Sequence, residues 1–320
     1  MHPITDPQLA ARLALFERAI PGGITLENIP ATRKFLKELN AAVVAGAANF
    51  PGVASSDHYA PGPAGAPAVM VRIYRPETRP ALLPALLWIH GGGYVLGDVA
   101  SDDLKAKKLA LALNCVVASV EYRLAPEYPF PAPLEDCYAA LKWLSAHARR
   151  FGVNPERIAV GGASAGGGLA AALALLARDR GEVSVCYQLL IYPMIDDSNV
   201  KQAGPGVPDA PTWTRANNLI GWRSYLAQEP GSTGIPYHAA AIRALDVRSL
   251  PPTYIGVGTA DLFRDEAIAY AQRLMKAGIK TELHVYADGF HGFDDYAAES
   301  DTAKRFLGEQ VHLLARALHS

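Results

Sequence analysis

Apolar residues recur along this chain in two rhythms. Leu9, Leu13, Phe16 and Ile20 return at helical spacing behind Asp6-Pro7, an N-cap residue followed by proline at the first helical position. A second helical stretch carries Phe35, Leu36 and Leu39, and a Gly/Pro-rich passage from about 46 to 67 follows it. The first fifty residues therefore read as helical and ahead of any strand. From Val69 the rhythm changes, with Val69, Val71 and Ile73 alternating with Met70, Arg72 and Tyr74 as in a half-buried strand. Short continuous apolar runs at 85–89, 116–120, 158–160, 188–192, 254–257 and 283–286 suit strands buried on both faces of a sheet. Helical patterns at about 102–113, 134–151, 165–178 and 263–276 separate them, and a terminal helix carries Phe306, Val311, Leu314 and Leu318. Strands alternating with helices of this length imply an α/β fold, with a mostly parallel central sheet covered by helices on both faces. One stretch breaks the alternation. From about 196 to 250, Trp213, Trp222 and Tyr225 recur at helix-like spacing without a strand, which predicts an insertion above the sheet.

Composition narrows the class. With 320 residues, 50% of them hydrophobic and 19% charged, the chain is long enough for one large core with an inserted or appended cap. Thirty basic residues against 31 acidic ones leave a net charge of −1 with no run of like charges, which argues against nucleic acid as a partner. Cys115, Cys137 and Cys186 are widely spaced and read as buried thiols rather than zinc or redox ligands. The opening Met1-His2-Pro3-Ile4 lacks an export signal, and no uncharged apolar run is long enough to span a bilayer, so the expectation is a cytoplasmic protein without membrane association.

The candidate chemistry lies at strand ends. Gly162-Ala163-Ser164-Ala165-Gly166 follows a predicted strand and opens a predicted helix, the context of a G-x-S-x-G turn that lifts a serine hydroxyl clear of a sheet. A phosphate-binding loop does not fit, because Gly167 stands where such a loop needs lysine and no G-x-G-x-x-G occurs. Upstream, His90-Gly91-Gly92-Gly93 follows the run ending at Ile89, and consecutive glycines let backbone N–H groups approach an oxyanion. The N–H of Ala165, at the start of a helix whose dipole favours negative charge, is a further donor. A serine needs a histidine to take its proton. Among the histidines after Ser164, His284 lies in a strand pattern, His312 and His319 in the last helix and His238 in the insertion; His291, in Gly289-Phe290-His291-Gly292-Phe293, lies just past the last strand. An acid is expected between the two, and Asp261 follows the strand at 254–257 at the same sheet edge. Asp265 and Glu266 read instead as first-turn helix residues, and Asp288 stands too close to His291 in sequence.

Together with Tyr122-Arg123-Leu124-Ala125-Pro126-Glu127, the prolines around Phe130 and Leu250-Pro251-Pro252, this ordered set resembles the bacterial hormone-sensitive-lipase-like family of α/β-hydrolase serine esterases over roughly residues 69 to 293. The resemblance implies an α/β-hydrolase fold with a helical cap, built from residues 1–50 and from about 196–250 inserted in a catalytic domain of 51–320. It implies a carboxylesterase acting on short- to medium-chain esters through an acyl-enzyme, with Ser164, His291 and Asp261 as triad and Gly92, Gly93 and Ala165 as oxyanion donors. His90 and Gly91 would then support the loop. Tyr94, Trp213 and Trp222 are candidates for the substrate pocket. No metal or cofactor is expected; the expected partner is a small ester, with a homodimer as the candidate assembly. Two competing readings are a non-catalytic small-molecule receptor on the same fold and an amidase or peptidase using the same triad. The chain departs from many members of that family in carrying Ala163 for Asp or Thr and Gly168 for Asn.

Overall fold

The computed structural model describes residues 4–48, 50–77, 82–200 and 209–319. Met1–Pro3 of the leader reading and 201–208 of the predicted insertion lie outside them. Helix α1 (Pro7–Ala19) starts as its sequence dictates, with the Asp6 carboxylate accepting the N–H groups of Gln8 and Leu9. After α2 (Ile29–Ala48) come β1 (Val53–Ala60), β2 (Val69–Pro76) and β3 (Leu83–Ile89). The chain continues through α3 (Asp103–Leu113), β4 (Val116–Glu121), α4 (Ala132–Ala146), β5 (Val153–Ala163), α5 (Ala165–Arg180) and β6 (Gln188–Ile191). The inserted stretch holds α6 (Arg215–Leu226); β7 (Thr253–Ala260), α7 (Arg264–Lys276), β8 (Thr281–Phe290), the single turn α8 (Phe293–Tyr296) and α9 (Asp301–His319) complete the chain.

The strands form one sheet in the order β1-β2-β4-β3-β5-β6-β7-β8, parallel from β4 onward and antiparallel at β1 and β2. Central β3 is buried throughout, which explains its unbroken apolar sequence.

Four expectations change. Strand β1 lies inside the Gly/Pro-rich passage; as an edge strand it buries only its two end residues and carries no alternation to read. Strand β8 is the other edge and leaves Val285 exposed, so it is not buried on both faces. The pattern at 134–151 splits at His147 into α4 and a 3-10 turn, Ala148–Phe151. Trp213 precedes α6 rather than lying on it, because Thr214 caps the helix by accepting the Asn217 N–H. Cys115 and Cys137 are buried and Cys186 half-buried, all with free thiols. No described helix is long and apolar enough to cross a membrane.

The N-terminal segment and the insertion are tied to each other. Asn217 accepts the Leu26 N–H at 3.1 Å and donates to the Ile24 carbonyl at 2.7 Å, and the Ile24 N–H reaches the Pro211 carbonyl. Arg33 of α2 forks onto Glu127 and also donates to the Val95 and Ala125 carbonyls, pinning the helix over the loop after β3.

A buried charge cluster joins β2 to α3. Asp103 accepts from Tyr74 at 2.8 Å and Lys107 at 2.8 Å, and Arg72 stands at 3.3 Å. Burial alone would raise its carboxyl, but these donors outweigh it and hold it below its ordinary 3.8. A depressed folded-state value stabilises the fold in full above the unfolded value, and that contribution is lost as pH falls through the folded one. Asp103→Asn is therefore expected to cost about 1–3 kcal/mol in urea denaturation at pH 7. The gap to wild type should hold down to about pH 4 and close in stronger acid; a gap independent of pH would refute the charge-based account.

Candidate active site

Three strand ends deliver the site. Ser164 follows β5 in a left-handed backbone conformation, φ 57° and ψ −121°, a strain of about 1–3 kcal/mol for a residue with a side chain. What holds it is contact on both sides. A carbon added at Gly166 would lie 2.0 Å from the Ile89 carbonyl oxygen, and one at Gly162 would lie 2.5 Å from the same atom. The Ser164 N–H is taken by the Ile191 carbonyl at 2.9 Å, and its carbonyl accepts from Gly168 and Met194.

Asp261 and His291 arrive together because Ala260 of β7 pairs with Phe290 of β8, and each is the next residue on its strand. The two strands close in where Gly258 faces Gly289, an approach a side-chain carbon at Gly258 would block at 1.9 Å. His291 Nδ1 lies 2.9 Å from Asp261 Oδ2, and its Nε2 lies 2.9 Å from Ser164 Oγ. An ionised carboxylate only accepts, so Nδ1 carries the proton and Nε2 offers its lone pair to the serine hydroxyl. Asp261 has no solvent exposure, and its other oxygen accepts the Phe263 N–H at 2.9 Å. The imidazole stands among aromatic rings, with Phe263 at 5.0 Å, Tyr192 at 4.8 Å and Trp213 at 6.4 Å between centroids.

The glycine loop lies against this turn, since a carbon on Gly91 would meet the Ala163 carbonyl oxygen at 2.9 Å. Gly92 and Gly93 have φ of +117° and +60°, values that glycine adopts without cost. Gly92 accepts the Val95 and Leu96 N–H groups and so closes the loop on itself. Among the described residues, the N–H groups of Gly92, Gly93 and Ala165 have no protein acceptor. His90 is buried and stacked on Tyr122 at 4.2 Å; its Nδ1 meets the Gly91 carbonyl oxygen, and its own carbonyl accepts the Tyr122 hydroxyl.

The remaining acids and histidines lie elsewhere. Asp265 pairs with Arg264, and Asp288 accepts the N–H groups of Thr5 and Asp6. His284 bonds to Glu309, His238 to Asp179, and His319 Nε2 donates to the Leu113 carbonyl; none of the three is bonded to Ser164. Of the pocket candidates, Trp213 stands at the site, its ring 2.1 Å from where a Gly93 side-chain carbon would be. Tyr94 is turned inward, donating to the Met194 carbonyl at 2.7 Å and stacked on Tyr225 at 4.0 Å, and Trp222 is buried beside it. That hydroxyl accounts for Gly168, because a carbon there would lie 2.5 Å from it and 2.0 Å from the Met194 oxygen. Nothing in the structure explains Ala163.

Glu266 lies in the first turn of α7, as the sequence predicts, but its burial was not read. Its carboxylate is buried, accepting the N–H groups of Ile195 and Asp196 and the Asn199 amide, and so shapes the chain after β6. The signal was its place on the stripe Glu266, Tyr270, Leu274, the buried face of α7. Among the described residues, no group of three or more His, Cys, Asp or Glu is arranged to hold a metal ion.

Known proteins share this fold and much of this sequence. A family model described as alpha/beta hydrolase fold matches residues 86–295. Esterase LipI of Mycobacterium tuberculosis is 35% identical over 99% of this chain and 96% of its own length. Ethyl acetate hydrolase of Pseudomonas putida is 33% identical over 90% of this chain and 91% of its own. Among solved structures, a bacterial heroin esterase superposes with a TM-score of 0.92 at 40% identity, covering 99% of both chains. The chain belongs to the α/β-hydrolase fold family, within its hormone-sensitive-lipase-like carboxylic ester hydrolases.

Proposed function

We propose that this esterase cleaves short- to medium-chain esters by acyl transfer to Ser164. The observation that carries the reading is the unbroken chain Ser164–His291–Asp261, at 2.9 Å and 2.9 Å, beside three unclaimed backbone donors. Ser164 Oγ attacks the ester carbonyl while His291 Nε2 takes its proton; the C–O bond to the alcohol then breaks, and the same proton passes to the leaving oxygen. Water, deprotonated by His291, attacks the acyl-enzyme and releases the acid and the free serine. Asp261 holds the imidazole tautomer and stabilises its cation, and the N–H groups of Gly92, Gly93 and Ala165 take up the oxyanion charge. His90 and Gly91 keep that loop seated on the serine turn. Residues 1–50 and about 196–250 act as the cap, and Trp213 limits the space beside the donors. That limit supports small acyl groups, as does a relative named for ethyl acetate.

Hydrolysis of p-nitrophenyl esters from acetate to palmitate should be fastest at the short end, and Ser164→Ala or His291→Ala should lower kcat by about 10⁴–10⁶-fold. A wild-type rate no higher than that of Ser164→Ala at every chain length would refute the reading in favour of a receptor. Amides of the same acids, run beside the esters, should react far more slowly; equal rates would make it an amidase.

Gly93→Ala tests the donors separately. The added carbon collides with Trp213 and moves the loop, so kcat/KM should fall about 10²–10³-fold with the fold retained in circular dichroism. Unchanged turnover would remove Gly93 from the oxyanion site.

A further inference from the structure

Sheet order leaves one position between the serine and its partners. Ser164 directly follows β5, Asp261 and His291 directly follow β7 and β8, and β6 lies between β5 and β7. The residue after β6 is Tyr192, over which the imidazole must reach to meet the serine. Its backbone is left-handed, φ 32°, and its N–H donates to the Gly256 carbonyl at 2.7 Å. Its ring meets His291 edge to face at 4.8 Å and 66°. Its hydroxyl donates to Asp294 Oδ1 at 2.6 Å, out of contact with solvent. Asp294 is three residues past His291, and its second oxygen stands 3.5 Å from Lys105 Nζ, which also pairs with Asp295 at 2.7 Å. Tyr192 is thus fixed at both ends, by backbone to β7 and by hydroxyl to α8, the turn that begins two residues after His291.

We propose that Tyr192 is a positioning residue for His291, its ring tethered through Asp294 so that the imidazole cannot swing off Ser164 between the two half-reactions. Phe263 also meets the imidazole, at 5.0 Å and 86°, and it is itself held by donating its N–H to Asp261. A ring in edge contact with two aromatic neighbours loses rotational freedom, and small misplacements of a base at hydrogen-bond distance are costly to rate. Burial pushes the Tyr192 hydroxyl well above its ordinary range, so it stays protonated and able to donate. The proposal rests on His291 being the general base.

The test separates tether from charge. Tyr192→Phe keeps the ring and removes the tie; Asp294→Ala removes the tie from the other side; Asp294→Asn keeps a hydrogen-bonding partner in either amide orientation and removes only the charge. On p-nitrophenyl acetate, Tyr192→Phe and Asp294→Ala should each lower kcat about tenfold with KM within about twofold, and the double variant should fall no further. Asp294→Asn should stay within about threefold of wild type. A wild-type kcat in Tyr192→Phe, a loss expressed in KM, additive losses, or Asp294→Asn falling as far as Asp294→Ala would each overturn the proposal. If Asp294→Ala fails to fold, the contrast between Tyr192→Phe and Asp294→Asn decides alone. His291→Ala, measured alongside, tests the base itself: residual activity near wild type would overturn the triad whatever Tyr192 does.

Discussion

The structure depends on how closely the end of β3 packs against the turn after β5. The Ile89 carbonyl oxygen sits where any side-chain carbon at Gly162 or Gly166 would be, so the end of β3 meets the turn after β5 without a side chain between them. That contact does two things. It holds Ser164 in a conformation it would otherwise leave, and it brings the glycine loop, which begins one residue past Ile89, against the serine. Ser164 and the glycine loop are therefore placed by a single packing constraint, and the backbone strain at Ser164 is offset by the buried sheet around it, in which β3 has no exposed residue.

Much of this was legible in the sequence because the constraint acts on residue type. A turn that excludes side chains requires glycine, so the chemistry and the fold left the same marks at 91–93 and at 162 and 166. Asp261 and His291 could be read because each follows an apolar run, and strand ends on one edge of a parallel sheet converge. The parts that escaped have no such mark. Strand β1 buries only its ends, so its polar sequence resembles a loop. Glu266 looks like an ordinary acid in the first turn of a helix, and only its phase against Tyr270 and Leu274 gives its burial away. Arg33 and Glu127 are 94 positions apart, a pairing that no local pattern encodes.

The N-terminal segment and the insertion share the apolar core, and polar ties fasten them to each other and to the loop after β3. Asn217 completes the backbone bonding of Ile24 and Leu26, and Arg33 does the same for the carbonyls of Val95 and Ala125. Each leaves a buried or half-buried backbone group unpaired if lost, which makes the two segments interdependent. Val95 follows the glycine loop by two residues. Helix α2 is thus fastened next to the glycine loop that lies against the serine turn.

Gly168 shows the same coupling from the opposite side. Its missing side chain is the space through which Tyr94 donates to the Met194 carbonyl, and Tyr94 is stacked on Tyr225 of α6. Along the same helix, a carbon on Gly221 would lie 2.8 Å from the Gly93 oxygen, while Trp213 ahead of it stands over Gly93 itself. The insertion is keyed to the glycine loop and the residues after it at three points, each of which needs a glycine. A side chain added at any of the three glycines would push the insertion and the glycine loop apart, so the packing of the insertion and the seating of the loop on the Ser164 turn cannot change independently.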